Sequence, residues 1–206
     1  MTFNPFFSLI PALALALSLS PAAAAQTAPA AAVEVYTIDP DHSSAEFKIK
    51  HMYVSTVPGR FGRMRGSISL DRANIENSST EVVIEVDSLS TAQKMRDQDL
   101  LGPNYFDAAK FPTITFKSSS VKDLGSGNLE VAGMLTLHGV TRPVTIAVSG
   151  WSTAPGMKPG IFLAGFEEGK TKLKRSDFGM THLMGPVGDD VAITLSVEAN
   201  RTQNAQ

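Results

Sequence analysis

Residues 44–51 read SAEFKIKH. Ala45, Phe47 and Ile49 fall on one parity, and Glu46, Lys48 and Lys50 on the other. A side-chain period of two marks a β-strand with one face buried and the other in water. The pattern repeats along the chain. Met64, Gly66, Ile68 and Leu70 oppose Arg65, Ser67 and Ser69, and Val82, Ile84 and Val86 oppose Glu81, Glu85 and Asp87. Ile114 and Phe116 alternate with Thr113, Thr115 and Lys117. Leu129, Val131, Gly133, Leu135 and Leu137 form another apolar face, and Val144, Ile146, Val148 and Gly150 the next. Val191, Ile193, Leu195 and Val197 close the series, opposite Thr194, Ser196 and Glu198. Turn signals separate the runs: Pro58-Gly59, Asn77-Ser78-Ser79, Gly125 to Asn128, His138-Gly139, Pro155-Gly156 and Pro159-Gly160.

Clean alternation with one polar face predicts an all-β, antiparallel fold. Seven to nine such strands twist too strongly to remain one flat sheet, so they split into a sandwich or close into a barrel. Closure removes the edges that invite aggregation. A barrel of about eight strands either fills its interior with side chains or holds one small ligand. Gly66, Gly133 and Gly150 sit on apolar faces. They mark either room inside or bends where the wall curves. One stretch breaks the period. Residues 92–101, AQKMRDQDLL, hold no β-branched residue and several good helix formers. A short helix is expected there, capped by Ser90 or Thr91 and ended by Gly102-Pro103.

Composition excludes several classes of function. The 206 residues are 43% hydrophobic and 18% charged, too apolar for a disordered chain. A formal charge of −2 leaves no basic footprint for nucleic acid. With no cysteine there is no disulfide framework, thiol nucleophile or thiolate metal site.

The N-terminus has the features of an export signal. No charged side chain occurs in residues 1–25, and Phe6 to Leu19 is apolar apart from two serines. That run is about 14 residues and contains Pro11, short of the roughly 20 that span a bilayer. Ala22 to Ala25 offer small residues for cleavage, although the first basic residue is Lys48. The expected organisation is a signal peptide over 1–25, an Ala-rich tether over 26–34, the β-domain over 35–200 and a polar tail over 201–206. The expected location is the periplasm.

Several segments together resemble the YceI family of exported, lipocalin-like proteins. His42-Ser43 leads into AEFKIKHM, followed by GRFGRMRGSISLD at 59–71, RDQDLLGPNYFD at 96–107 and KFPTITF at 110–116. LTLHGVTRPV at 135–144, KRSDFGM at 174–180 and DVAITLSVEA at 190–199 complete the set. The resemblance spans roughly residues 36–200. It implies an eight-stranded antiparallel barrel with a long apolar interior that binds a polyisoprenoid or similar amphiphilic lipid. The residues themselves offer no catalytic set, cofactor motif or metal-ligand spacing, and some relatives of this type pair as dimers, so a homodimer is open. On that reading the ligand-binding wall is Phe47, Ile49, Met64, Ile68, Val82, Ile84, Ile114, Phe116, Leu135 and Val148, with Phe162, Phe166 and Phe178. His51 shares the parity of Phe47 and Ile49. Burying roughly 500 Å² of prenyl surface at about 25 cal/mol per Å² gives about 12 kcal/mol before ordering costs of several kcal/mol.

Polar residues each carry two readings. His51 either meets a quinone or phosphate head group or bonds backbone at a barrel mouth. His42, His138 and His182 lack metal-ligand spacing. Asp39, Asp41, His42 and Ser43 hold nucleophile chemistry but read better as a turn. Asp177-Phe178-Gly179 matches a kinase motif by letters alone; Arg175 and Asp177 are expected to pair, Phe178 to plug the barrel and Gly179 to permit a bend. Lys170, Lys172 and Lys174 share a face, either a strip for pyrophosphate or transient contact with an anionic membrane or an ordinary outer wall. Arg96 and Asp99 are spaced to pair on the helix. Three functions remain open: sequestration of a prenyl phosphate, isoprenoid quinone or fatty-acyl lipid; a lipid-modifying enzyme; and a barrel filled by its own side chains acting as an interaction module, which 11 phenylalanines permit.

Overall fold

The computed structural model describes Met1–Thr2 and residues 33–202. The expected signal peptide, most of the tether and the end of the tail lie outside the described residues. The period-two runs form twelve strands: β1 (Glu34–Ile38), β2 (Ser44–His51), β3 (Ser55–Phe61), β4 (Met64–Leu70), β5 (Ser79–Glu85), β6 (Leu89–Ser90), β7 (Thr113–Gly125), β8 (Asn128–Leu137), β9 (Val140–Ser149), β10 (Ser152–Pro155), β11 (Ile161–Lys174) and β12 (Val187–Thr202). The one α-helix among the described residues is α1 (Lys94–Leu100). β1 and β12 run one and two residues beyond the bounds 35–200 read from the sequence, because Glu34 pairs with Leu70 and Arg201 with Phe162.

Eight strands close a ring in the order β1-β4-β5-β7-β8-β9-β11-β12, with β12 returning to β1. Every pairing in it is antiparallel. The choice between sandwich and barrel is thus resolved as a barrel. β1 occupies only one stretch of β12's edge, at Ala199 and Asn200. β2 takes the other stretch, from Ser196 back to Val187, and carries β3 and the short β6 beyond it. β10 lies along β11.

Strand direction gives the barrel two ends. One carries the β2–β3 hairpin, α1 and residues 101–112, the His138-Gly139 turn and residues 175–186. The other carries residues 71–78, the β7–β8 turn and residues 150–160. Tyr36, Ile38, Met64, Ile68 and Ala199 pack where β1, β4 and β12 meet. Phe47, Phe61, Val86, Phe178 and Met180 pack toward the first, against Leu100 of the helix.

Local chemistry explains the departures from expectation. The helix is capped by Gln93, whose side chain accepts from the Arg96 N–H at 2.6 Å, and not by Ser90 or Thr91. Thr91 is buried and needed elsewhere. Its oxygens accept from the Arg96 guanidinium at 2.7 and 2.8 Å, and its N–H donates to Asp97. Arg96 therefore folds back onto Thr91 and does not pair with Asp99. The interior glycines leave no open room. A Cβ on Gly66, at φ +153°, would lie 2.0 Å from the Glu81 carbonyl oxygen, and one on Gly133 would lie 2.5 Å from the Phe116 ring. The first permits a bend and the second admits an aromatic ring.

Candidate functional site: the barrel cavity

The inward faces of the strands enclose a cavity of about 780 Å³. This is within the roughly 300–1,000 Å³ typical of sites that take one small molecule. Phe47, Ile49, His51, Met64, Ile68, Val82, Ile84, Ile114, Phe116, Leu135, Val148, Phe166 and Phe178 all reach its wall. Phe162 does not. It shares the inward parity of Ala164 but sits near the start of β11, where the Arg201 guanidinium lies 4.6 Å over its ring and 5.5 Å over that of Tyr36. The interior is therefore not filled by its own side chains, although aromatic rings supply much of the wall.

Polar groups concentrate at the two ends. At the helix end, His51, Thr91, Gln93, Arg96, Asp99, Tyr105 and Arg175 reach the cavity. Tyr105 is almost fully buried and stacks edge-on against His182, 5.1 Å between ring centres. Burial pushes its hydroxyl above the usual tyrosine value, Asp99 adds to that, and Arg175 opposes it. Arg175 is buried and does not pair with Asp177. Its guanidinium donates to the carbonyls of Gly188 (2.8 Å), Met180 (2.6 Å), His182 (2.8 Å) and Val187 (3.0 Å). It thereby ties residues 180–188 into one arch over this end. Burial lowers its proton affinity, countered by the charge of Asp189. Asp189 in turn accepts from the Ser176 N–H and hydroxyl, each at 2.9 Å. Phe178 is buried at the same end, and Gly179 turns the chain at φ +77°. At the opposite end, Ser78, Ser79, Thr80 and Trp151 reach the wall.

Sequence reasoning missed Trp151, Tyr105 and Arg175 as wall residues. Tyr105 and Arg175 lie in irregular segments, where no periodicity reports which way a side chain faces. Trp151 follows the β9 terminus, beyond the alternating run, and its N–H is held by the Gly127 carbonyl at 2.9 Å.

Other sequence candidates lie away from the cavity. Asp41 N–H donates to Asp39, and the Ser43 hydroxyl is engaged with the backbone of Glu198, as expected of a turn. The fold adds Glu198 to Asp39 and His42, with ligand-type atoms of all three within 4.8 Å. His42 Nδ1 lies 3.1 Å from the Asp39 carboxylate, which raises the imidazole's proton affinity. His138 Nδ1 meets the Phe178 carbonyl at 3.1 Å, and its ring packs on Phe111. The lysine strip is neutralised: Lys170 meets Glu168 of its own strand at 2.6 Å, and across to β12 Lys172 meets Asp190 at 3.0 Å and Lys174 meets Asp190 at 3.2 Å and Asp189 at 3.7 Å.

A closed antiparallel barrel around an apolar cavity with polar groups at its ends defines the lipocalin-like class. The family model of the YceI-like domain matches residues 36–199, and the chain belongs to that family. A UPF0312 protein of Yersinia pestis is 41% identical over 173 residues, covering 82% of this chain and 88% of its own. A UPF0312 protein of Ectopseudomonas mendocina is 38% identical over 169 residues, covering 81% and 87%. Among solved structures, Burkholderia cenocepacia BcnA superposes with TM-score 0.68 at 25% identity, covering 79% of this chain and 99% of its own. The YCEI protein of Campylobacter jejuni gives 0.62 at 31% identity, covering 76% and 91%. A polyisoprenoid binding domain from Saccharophagus degradans shares the fold, with TM-score 0.58 at 15% identity and coverage of 82% and 98%.

Proposed function

We propose that this protein is an exported, non-enzymatic carrier that sequesters one amphiphilic lipid in the barrel, with a polyisoprenoid tail as the favoured ligand. The observation that carries the reading is the cavity of about 780 Å³, walled by the apolar parity of the strands. A prenyl chain offers only hydrocarbon and C=C groups, so its affinity comes from apolar area removed from water, about 25 cal/mol per Å². The polar group of a prenyl phosphate or quinone lies at the helix end, where hydrogen-bonding side chains converge. The description of the Saccharophagus degradans domain as polyisoprenoid binding supports the ligand class. The uncharged, apolar leader with its run of alanines supports export to the periplasm.

The test is native mass spectrometry of protein purified without detergent, followed by organic extraction. A co-purifying species built of isoprene units is the expected result. Protein that is empty and stays empty when offered prenyl, quinone and acyl lipids refutes the carrier reading. Turnover of a lipid substrate, lost on His51→Ala or His42→Ala, replaces it with an enzyme.

A further inference from the structure

The helix end of the barrel carries a concentration of apolar side chains that the chain does not cover. Tyr53 and Val54 at the β2–β3 tip are 75% and 88% exposed, and Met95 on α1 is 75% exposed. Met52, Leu183 and Met184 each leave about half of their surface in water. These residues form one rim. The Met52 N–H donates to the Pro186 carbonyl, His51 pairs with Val187, and Tyr105, beyond the helix, stacks on His182. Met95 and Leu183 are exposed and also line the cavity, so the rim is the outer continuation of the cavity wall. Met52, Tyr53 and Leu183 hold φ of 49°, 65° and 50°, left-handed values that cost L-residues energy. Burial offsets this cost only in part, since Met52 and Leu183 are half exposed and Tyr53 is 75% exposed.

Charge indicates what covers the rim. Residues 50–56 and 181–188 contain no carboxylate. Lys50 and Lys94 are exposed and make no ion pair among the described residues, as is also true of Lys48, Lys122 and Lys158 elsewhere. At the rim, however, they flank the exposed apolar side chains, and of the nearby α1 carboxylates Asp97 is engaged by Thr91. A tyrosine and aliphatic side chains flanked by free lysines match the interface of an anionic bilayer, apolar below and negative above. We infer that this rim docks on an anionic phospholipid membrane, immersing the β2–β3 tip and the Leu183-Met184 arch, so that a lipid tail passes between bilayer and cavity without crossing water. The inference rests on the carrier reading for its purpose but is tested independently of it.

The absence of native cysteine allows single-site labelling of the full chain. Val54→Cys and Met184→Cys place an environment-sensitive fluorophore on the rim. Leu124→Cys places one at the opposite end, on an exposed side chain beside the β7–β8 turn. With phosphatidylglycerol-containing vesicles, the two rim labels brighten and shift to the blue while the Leu124 label does not. Lys50→Gln and Lys94→Gln each weaken the response about fivefold, the share of one surface lysine. The apolar leader is common to all variants and does not by itself immerse one end selectively. Silent rim labels, or equal responses at both ends, overturn the inference. So does a rim response that appears without vesicles and grows with protein concentration, which assigns the rim to a second copy of the chain. Farnesol titrated in the absence of vesicles, followed by emission of the sole tryptophan, Trp151 in the cavity wall, separates the two readings. Quenching with silent rim labels leaves the carrier standing without the docking, and the reverse leaves docking without the carrier.

Discussion

Replacing Arg175 with Met removes a charged fork and keeps most of its apolar stem. Four carbonyls lose a donor: those of Met180, His182, Val187 and Gly188. Hydrogen bonds from a charged donor contribute about 1.5–3 kcal/mol each, but burying the guanidinium costs several kcal/mol in return. After substitution the carbonyl of exposed His182 regains water, and those of half-buried Val187 and Gly188 do so in part. Met180 is buried, so its carbonyl is left unsatisfied. An unsatisfied buried acceptor costs about 1–3 kcal/mol. Adding the loosened arch over residues 180–188, the expected loss is about 3–5 kcal/mol, as for breaking other buried charge networks. Arg175→Lys recovers less than half, because one ammonium cannot face carbonyls of both Met180 and Gly188 with a fork's geometry. The assay is urea unfolding followed by Trp151 emission, read as a shift of midpoint at constant slope. Arg175→Met within about 0.5 kcal/mol of the parent, the usual range of a neutral surface change, refutes the reasoning. Full recovery by Lys shows that charge alone, without fork geometry, holds the arch.

On the proposed carrier reading, Leu135→Trp fills part of the cavity and weakens prenyl binding by about 1–3 kcal/mol, the usual cost of adding atoms to a packed interior; competitive ligand titration checks it. The Asp189 carboxyl is held below its ordinary value of 3.8, first by the Ser176 N–H, against opposing burial, and then by the Ser176 hydroxyl and the charges of Lys174 and Arg175. A depressed folded value stabilises above 3.8 and is lost as pH falls through it. Asp189→Asn is therefore less stable than the parent at neutral pH, and the gap narrows below pH 3.8 in acid-unfolding curves. Replacing Lys170 and Glu168 together with Gln, which keeps the net charge, leaves binding to anionic vesicles unchanged in flotation assays, because the two are already paired with each other.

The wall of the cavity was legible in the sequence because strands report orientation through parity. Phe47, Ile84 and Leu135 all lie on the inward parity of their strands and all reach the cavity. Parity does not report distance along the barrel axis, which is why Phe162 faces inward yet misses the cavity. The ends were not legible. Tyr105 lies in a connector without period, and Arg175 sits in a 3-10 turn whose bonds reach a segment up to thirteen residues away. The pairing of Arg96 with Thr91 was hidden for a related reason. Helical spacing suggested Asp99, but a buried hydroxyl before the helix offered the better acceptor. Ion pairs across β11 and β12 depended on register, which the alternation alone leaves unspecified.

The shared edge of β12 governs when this chain becomes a barrel. β12 pairs with β1 and β2 from the beginning of the domain and with β11 from its end. Until residues 187–202 arrive, β2 lacks its β12 partner and β1 has only β4. The most distant contacts in sequence are thus required for closure, a topology that slows folding and prolongs the life of open edges. During synthesis no native ring exists until the last strand has left the ribosome. A chain kept unfolded up to that point loses little by waiting, and a nascent chain stalled before β12 presents strand edges for aggregation or capture by a holdase.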